Sequence, residues 1–199
     1  MANRPGTKIT VRGEQTREQI LQAARKLFTE RGYHYTSVYD LFDHAETTKG
    51  AFFHHWKTKE DLALSLVQQI STYFEEKYLA ILEQPGRGRE RLETAINLLS
   101  DSTKQDLCYG RLFAVWCAEL HDDEDKIGPA VHALKHRWIA FWKQLIQSAQ
   151  SDGDLRSDIP AENLSFLVVS AISGVQLLCR GTIEEKLKVY EALRKTILT

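Results

Sequence analysis

Apolar residues recur at intervals of three and four along most of this chain, and they alternate over no stretch long enough for a half-buried strand. That period commits the backbone to helices, and only four prolines and 11 glycines in 199 residues stand ready to interrupt them. Ile20, Ala23, Ala24, Leu27 and Phe28 mark a first helix, with Thr16 to Gln19 in a capping-box pattern before it and Gly32 after it. Ser37 and Asp40 open a short second helix carrying Val38, Leu41 and Phe42. Ala45 to Thr47 form a turn, and Thr48 is placed to cap a third helix with Ala51, Phe52 and Trp56 facing inward. Thr58 and Glu60-Asp61 start a long helix through Leu62, Leu66, Ile70, Tyr73, Phe74 and Tyr78 towards Leu82. Gln84-Pro85-Gly86-Arg87-Gly88 is the clearest breaker. Beyond it the period predicts helices around Leu92–Leu99, over Leu107–Leu120, from Pro129 through Leu145, over Ala161–Arg180 and from Ile183 to Ile197. The fold class is all-α, with about nine helices and no internal repeat.

Composition excludes several classes. A hydrophobic share of 43% supports a substantial core and argues against disorder. Arg4 and Lys8 have no apolar run behind them, so no signal peptide is expected. Leu164 to Leu178, broken by Ser165, Ser170, Ser173 and Gln176, reads as too short and too polar to span a bilayer. Cys108, Cys117 and Cys179 form no CxxC pair, as expected of reduced thiols in a cytoplasmic protein. Nothing resembles a nucleophile elbow, an HExxH helix, a phosphate loop or a pair of catalytic carboxylates. No catalytic residues, cofactor or metal site are expected, because His54 and His55 point to different helix faces. His121 beside Asp122, Asp123 and Asp125 reads as a solvated acidic loop. Residues 1–60 carry a net charge of +3 and residues 61–199 a net charge of −4, so the first third is the part that favours a polyanion.

The third helix, near Thr48 to Trp56, is neither a core helix rich in Leu and Val nor a solvent helix rich in Glu and Lys. It combines small residues, aromatics and histidines with Lys49 at its start. A major groove admits one helix, and small residues at its start let the backbone approach. Gly50 costs roughly 1 kcal/mol relative to Ala inside a helix, so it requires a reason. Close approach to DNA and tight crossing of a neighbouring helix are the two reasons available.

These residues carry a family resemblance. Ile20–Phe28, Arg31-Gly32-Tyr33, Thr36-Ser37-Val38, Lys49-Gly50-Ala51-Phe52-Phe53-His54-His55-Trp56 and Lys59-Glu60-Asp61-Leu62 resemble the DNA-binding domain of TetR-family repressors, in order and in spacing. The resemblance implies a flexible basic arm at 1–14, a three-helix helix-turn-helix domain at 15–61 and a larger helical ligand-binding and dimerisation domain at 62–199. It implies DNA contacts from Arg12, Thr36, Ser37, Thr47, Thr48, Lys49, Gly50, Phe53, His54, His55, Lys57 and Lys59. The last resembles the family's phosphate-contacting lysine. The chain departs from the family pattern at Glu46, where a turn glycine is usual, at Phe53, where a tyrosine is usual, and at Trp56, which replaces the usual closing aromatic.

The remainder is similar to the NemR- and AcuR-type branch at Asp106-Leu107-Cys108, Ala118-Glu119-Leu120, Gln147 to Gln150 before Gly153-Asp154-Leu155-Arg156, and Gly174-Val175-Gln176. That similarity makes Cys108 a candidate thiol sensor, and the alternative is a buried free cysteine. Tyr73, Cys108, Tyr109, Phe113, Trp116, Trp138, Trp142 and Gln176 are the candidate pocket residues, and their composition suits a largely apolar or electrophilic effector. The helix over 161–180 is apolar on nearly every face, so residues 161–198 are expected to form a homodimer interface. The expected partners are double-stranded operator DNA and a small-molecule effector, with no membrane. A competing expectation is a helical interaction protein with weakened DNA binding.

Overall fold

The computed structural model describes residues 11–104, 109–121, 126–179 and 182–198. Cys108, residues 1–10 of the expected arm and Asp122, Asp123 and Asp125 of the acidic loop lie outside the described residues, as does the side chain of Arg12. Every regular element among the described residues is helical. The chain divides into two compact units, one ending at Leu66 and the other beginning at Val67.

In the first unit, α1 (Val11–Arg31), α2 (Val38–His44) and α3 (Lys49–His55) pack against one another, and α4 (Lys59–Phe74) begins. Ile20, Leu21, Ala24, Phe28, Leu41, Phe52, Leu62 and Leu66 are all fully buried. They are the apolar positions of the helical period, which is why α2 and α3, at seven residues each, can form a core with α1 and α4. The start of α1 corrects the sequence reading. The helix opens at Val11, so Thr16 lies inside it and is not its cap, and residues 11–14 of the expected arm are helical. Glu14 in the first turn suits the positive end of the helix dipole. Glu18 accepts from Arg25 at 2.7 Å and from Gln22 at 3.3 Å, stitching the exposed face together.

In the second unit, α4 continues into a π-helical turn (Glu75–Leu79) and a last short piece, α5 (Ala80–Leu82). Then come α6 (Gly88–Lys104), α7 (Tyr109–Glu119), α8 (Ile127–Ser151), α9 (Ala161–Leu178) and α10 (Ile183–Leu198). Counting α4, the π-turn and α5 as one rod, nine helices lie among the described residues. The long α8 packs against α9, α6 and α7, and α10 closes on α6 and α9. The centre is aromatic. Trp138 meets the ring of Tyr78 at 4.8 Å and that of Phe74 at 5.3 Å, while Phe141 and Trp142 stand edge to face at 5.4 Å.

The π-turn has a local cause. Residues five apart are about 140° apart around an α-helix, and the extra residue in a π-turn brings them closer to one face. The Tyr73 hydroxyl and Ser102 Oγ lie 2.6 Å apart, and Ser102 also hydrogen-bonds Tyr78, so the widened turn brings both phenols to one serine on α6. Burial holds Tyr78 firmly in its neutral form by pushing its pKa up.

The junction of α6 and α8 is equally specific. Arg87 donates to Asp154 through Nε at 2.7 Å and to the Asp152 carbonyl at 2.7 Å, while the Gly88 amide donates to the Asp152 carboxylate at 2.7 Å. A Cβ on Gly88 would stand 2.2 Å from the backbone nitrogen of Ala149, so only glycine admits this approach.

Helix α9 differs from its sequence reading. At 18 residues it is long and apolar enough, by length and composition, to cross a membrane. Its placement is that of a packed bundle helix. It lies against α7, α8 and α10, Ser165 is buried with its hydroxyl on the Glu162 carbonyl at 2.7 Å, and buried Gln176 donates to the Tyr190 hydroxyl at 2.8 Å.

Candidate nucleic-acid interface

Helix α2 starts at a reciprocal cap. The Ser37 amide donates to the Asp40 carboxylate at 2.8 Å, and the Asp40 amide donates to Ser37 Oγ at 3.1 Å. The Ser37 hydroxyl bonds the same carboxylate, and these bonds, with Arg31 nearby, hold Asp40 below the usual carboxylate pKa. Helix α3 is capped by Thr48, whose Oγ1 accepts from the Ala51 amide at 3.1 Å. A third cap, between Thr58 and Asp61, opens α4 with bonds of 3.1 and 3.0 Å. Three caps within 25 residues make three helix starts sharp, so the exposed residues at those starts are held in defined positions.

The turn between α2 and α3 is fixed by a bond from the Thr47 amide to the Phe42 carbonyl at 2.9 Å. Glu46 sits in it at φ 50°, alone among the described non-glycine residues with a positive φ. The departure from a turn glycine is therefore accommodated by strain, at about 1 kcal/mol for an L-residue in this region. Glu46→Gly is expected to raise stability by about that amount in chemical denaturation. An unchanged or lower midpoint would show that the turn holds glutamate without strain.

The far end of α3 is anchored inward. Phe52 is fully buried and Trp56 nearly so, and the indole Nε1 of Trp56 donates to Ser65 Oγ on α4 at 2.8 Å. Arg17 covers the Trp56 ring at 5.4 Å. With that face fixed, Thr48, Lys49, Gly50, Phe53 and His54 are left exposed, with Lys57 just beyond, and Thr47 and His55 are half-exposed. A Cβ at Gly50 would meet only Thr48 Oγ1, at 3.9 Å. Nothing among the described residues crosses α3 closely there, which removes packing against them as the reason for this glycine. His55 has its pKa lowered by burial first and then by His54 and Arg17, so it offers a phosphate a neutral hydrogen-bonding ring more readily than a charge.

Two expected contacts need correction. Thr36 is fully buried, with its hydroxyl on the Gly32 carbonyl at 2.8 Å, because it closes the turn between α1 and α2; it presents nothing to a ligand. Lys59 is turned into the unit. Its ammonium donates to the carbonyls of Tyr33 at 2.8 Å and Thr36 at 2.9 Å and lies 4.0 Å from the Tyr33 ring, so it clamps the corner that sets α2 in place. Sequence reasoning passed over Tyr35 and Tyr39, which are 85% and 66% exposed. The signal was present, since both are aromatics at positions where the helical period asks for no apolar residue.

In the second unit the expected pocket residues divide. Trp116 and Trp142 are fully buried, and Trp138 and Gln176 nearly so, whereas Tyr73, Tyr109 and Phe113 are half-buried. The structure brings Tyr73 to Tyr109 at 5.5 Å and Trp138 to Trp142 at 5.6 Å. Trp142 Nε1 is buried without a hydrogen-bond partner among the described residues. Gln176 is held by Tyr190, and a Cβ at Gly110 would lie 3.2 Å from its Nε2. The three tryptophans serve the core. A separate open cleft of about 470 Å³ lies between α6 and α10, lined by Ile96, Asn97, Ser100, Asp101, Lys104, Leu187, Tyr190, Glu191 and Arg194, none of which was expected. Cys117 is half-buried, and burial pushes its thiol up to about 11, which makes it a poor nucleophile. No cluster of three metal-ligating side chains exists among the described residues.

A compact three-helix unit with sharply capped second and third helices, the third anchored on one face and bare on the other, defines a helix-turn-helix DNA-binding protein. Residues 20–66 match the family model described as bacterial regulatory proteins, tetR family. The chain is 23% identical over 165 residues to the HTH-type transcriptional repressor DhaR of Mycobacterium sp. (strain GP1), covering 81% of this chain and 80% of that one. Its fold is similar to that of the MbdR regulator from Azoarcus sp. CIB (TM-score 0.82, 24% identity, 92% of this chain and 97% of that one). It is also similar to that of AibR, solved in complex with isovaleryl coenzyme A and operator DNA (TM-score 0.74, 17% identity, 92% and 98%). Residues 20–66 therefore match the DNA-binding domain of the tetR family, and over most of its length the chain is similar in sequence and fold to transcriptional regulators.

Proposed function

We propose that the protein is a homodimeric repressor that binds operator DNA through α2 and α3 and leaves it when a small effector binds the second unit. The observation that carries the DNA reading is Gly50, exposed on α3 with open space around it and no packing reason to be glycine. Thr47, Thr48, Lys49 and Gly50 face base edges and nearby phosphates in this reading, with Phe53, His54, His55 and Lys57 towards the backbone and Ser37 beside them as the cap of α2. Arg12 belongs to the same set. Repression is the activity named for DhaR, and AibR pairs operator DNA with an acyl-thioester ligand.

The dimer reading rests on α9 and the start of α10. Phe166, Leu167, Leu177, Leu178 and Ile183 are exposed by between 37% and 84%, an apolar surface that a second copy would bury. The domain reading keeps 15–61 for DNA and 62–199 for ligand and dimerisation, in the cytoplasm. The effector is small and largely apolar, in keeping with the aromatic interior around Trp138 and Trp142. Ligand binding acts by favouring the state of α4 that does not bind DNA, which requires unequal affinity for the two states. The resemblance of 106–120 to the NemR- and AcuR-type branch adds electrophiles to the effector class, with Cys108 as the reacting thiol.

The test is a salt-dependent binding titration on the duplex immediately upstream of the protein's own gene, with light scattering in parallel. Saturable binding by a dimer, weakening steeply with salt, is expected. A monomer at micromolar concentration, or no binding at low salt, would refute the proposal. Cys108→Ser is expected to abolish release by thiol-reactive compounds, and undiminished release would remove Cys108 as sensor.

A further inference from the structure

Between His34 and Thr48 the chain has no lysine or arginine, while Asp40, Asp43 and Glu46 are acidic. Yet in a helix-turn-helix the first helix crosses the DNA backbone and sets the register of the second. Apart from His44 in the last turn of α2, any side-chain contact to phosphate from this stretch must therefore come from neutral donors. The hydroxyls of Thr36 and Ser37 are already engaged, one with the Gly32 carbonyl and the other in the cap with Asp40. That leaves Tyr35 and Tyr39 as the hydroxyl donors ahead of the turn. They are 85% and 66% exposed, the largest exposures among the described big apolar and aromatic residues of the first unit.

Their placement is defined. Tyr39 is the second residue of α2 and stands two before the buried anchor Leu41, as Gly50 is the second residue of α3 and stands two before the buried anchor Phe52. An offset of two residues is about 200° around a helix, so each points away from the core of the unit. The Tyr39 ring is steadied edge to face by Phe42 at 5.1 Å. Tyr35 precedes the Ser37 cap by two residues and belongs to the turn that Lys59 clamps through the carbonyls of Tyr33 and Thr36. Two large exposed rings on a rigid corner gain nothing from the core. Tyrosine hydroxyls are among the ordinary donors to phosphate oxygens.

We infer that Tyr35 and Tyr39 donate hydrogen bonds to phosphates flanking the groove entered by α3, supplying the neutral backbone clamp of an otherwise acidic α2. The inference rests on the DNA-binding reading above and adds to it the residues that set docking register. Because the donors are uncharged, they bind phosphate without releasing an additional counterion, so they add affinity without steepening its dependence on salt.

The experiment is fluorescence anisotropy with the full chain on the labelled duplex from upstream of its own gene, at several salt concentrations. Wild type, Tyr35→Phe, Tyr39→Phe and the double variant are compared, with thermal midpoints measured alongside. Each single variant is expected to bind more weakly by about tenfold or more and the double variant by roughly a hundredfold or more, from loss of hydrogen bonds to charged oxygens. The salt slope and thermal midpoint are expected to stay at their wild-type values. Phe variants that bind like wild type overturn the inference and leave the DNA reading intact. A weaker affinity accompanied by a lower midpoint also overturns it, by showing a structural role. Wild-type protein that does not bind the duplex overturns the DNA reading and the inference together.

Discussion

Gly88→Ala is expected to destabilise the protein by about 3 kcal/mol, the upper range for forcing a methyl into a packed site. The new carbon would stand 2.2 Å from the Ala149 nitrogen and 2.5 Å from both the Ala149 Cα and the Ser148 carbonyl carbon. These are backbone atoms within α8, so no side-chain rotation relieves the clash, and α6 must move away. Moving it lengthens the bond from the Gly88 amide to Asp152 and pulls Arg87 from its two partners on the α8 cap. For a chain of this length the thermal midpoint should fall by roughly 6–12 °C. Gly174→Ala provides the contrast, because nothing lies within 4 Å of its added carbon. Replacing that helical glycine should leave stability unchanged or raise it by up to about 1 kcal/mol. Similar midpoints for the two variants would show that α6 and α8 meet more loosely than the structure describes.

Gly50→Leu should separate stability from function. The side chain has room, since the nearest atom to a Cβ there is Thr48 Oγ1 at 3.9 Å, and replacing a helical glycine gains roughly 0.5 kcal/mol or more. On DNA the same side chain would hold α3 away from the base edges. Binding should weaken about a hundredfold, equivalent to losing one or two base contacts worth 1–3 kcal/mol each. The expected pair of results is an unchanged or higher denaturation midpoint and a lost complex on the upstream duplex. A variant that binds DNA at wild-type strength would mean that the bare face of α3 does not enter the groove.

The fold was legible wherever the helical period was uninterrupted. Leu41, Phe52, Leu62 and Leu66 are fully buried, as their spacing demands, and the caps at Ser37, Thr48 and Thr58 form as their side chains allow. Local chemistry also announced the strain at Glu46. Tertiary partners were not legible. Lys59 looks like a surface cation in sequence, and only the return of Tyr33 and Thr36 to its side converts it into a clamp. Thr36 reads as a polar turn residue until Gly32 places a carbonyl over it. Thr16 resembles a cap because the local pattern contains nothing to say that α1 already began at Val11. Among the aromatics of the second unit, spacing located the stripe but could not tell a ring packed on other rings from one facing a ligand.

The π-turn at Glu75–Leu79 also governs how this chain can be compared with others. It holds one more residue than the same arc of α-helix. A relative whose corresponding helix is regular will therefore align with this chain only through a single-residue gap between Phe74 and Ala80. An ungapped alignment anchored on the DNA-binding unit will misassign every pocket position downstream by one, rotating each by about 100° around its helix. Residue-by-residue transfer of effector contacts onto this chain must therefore be anchored separately on either side of Tyr78.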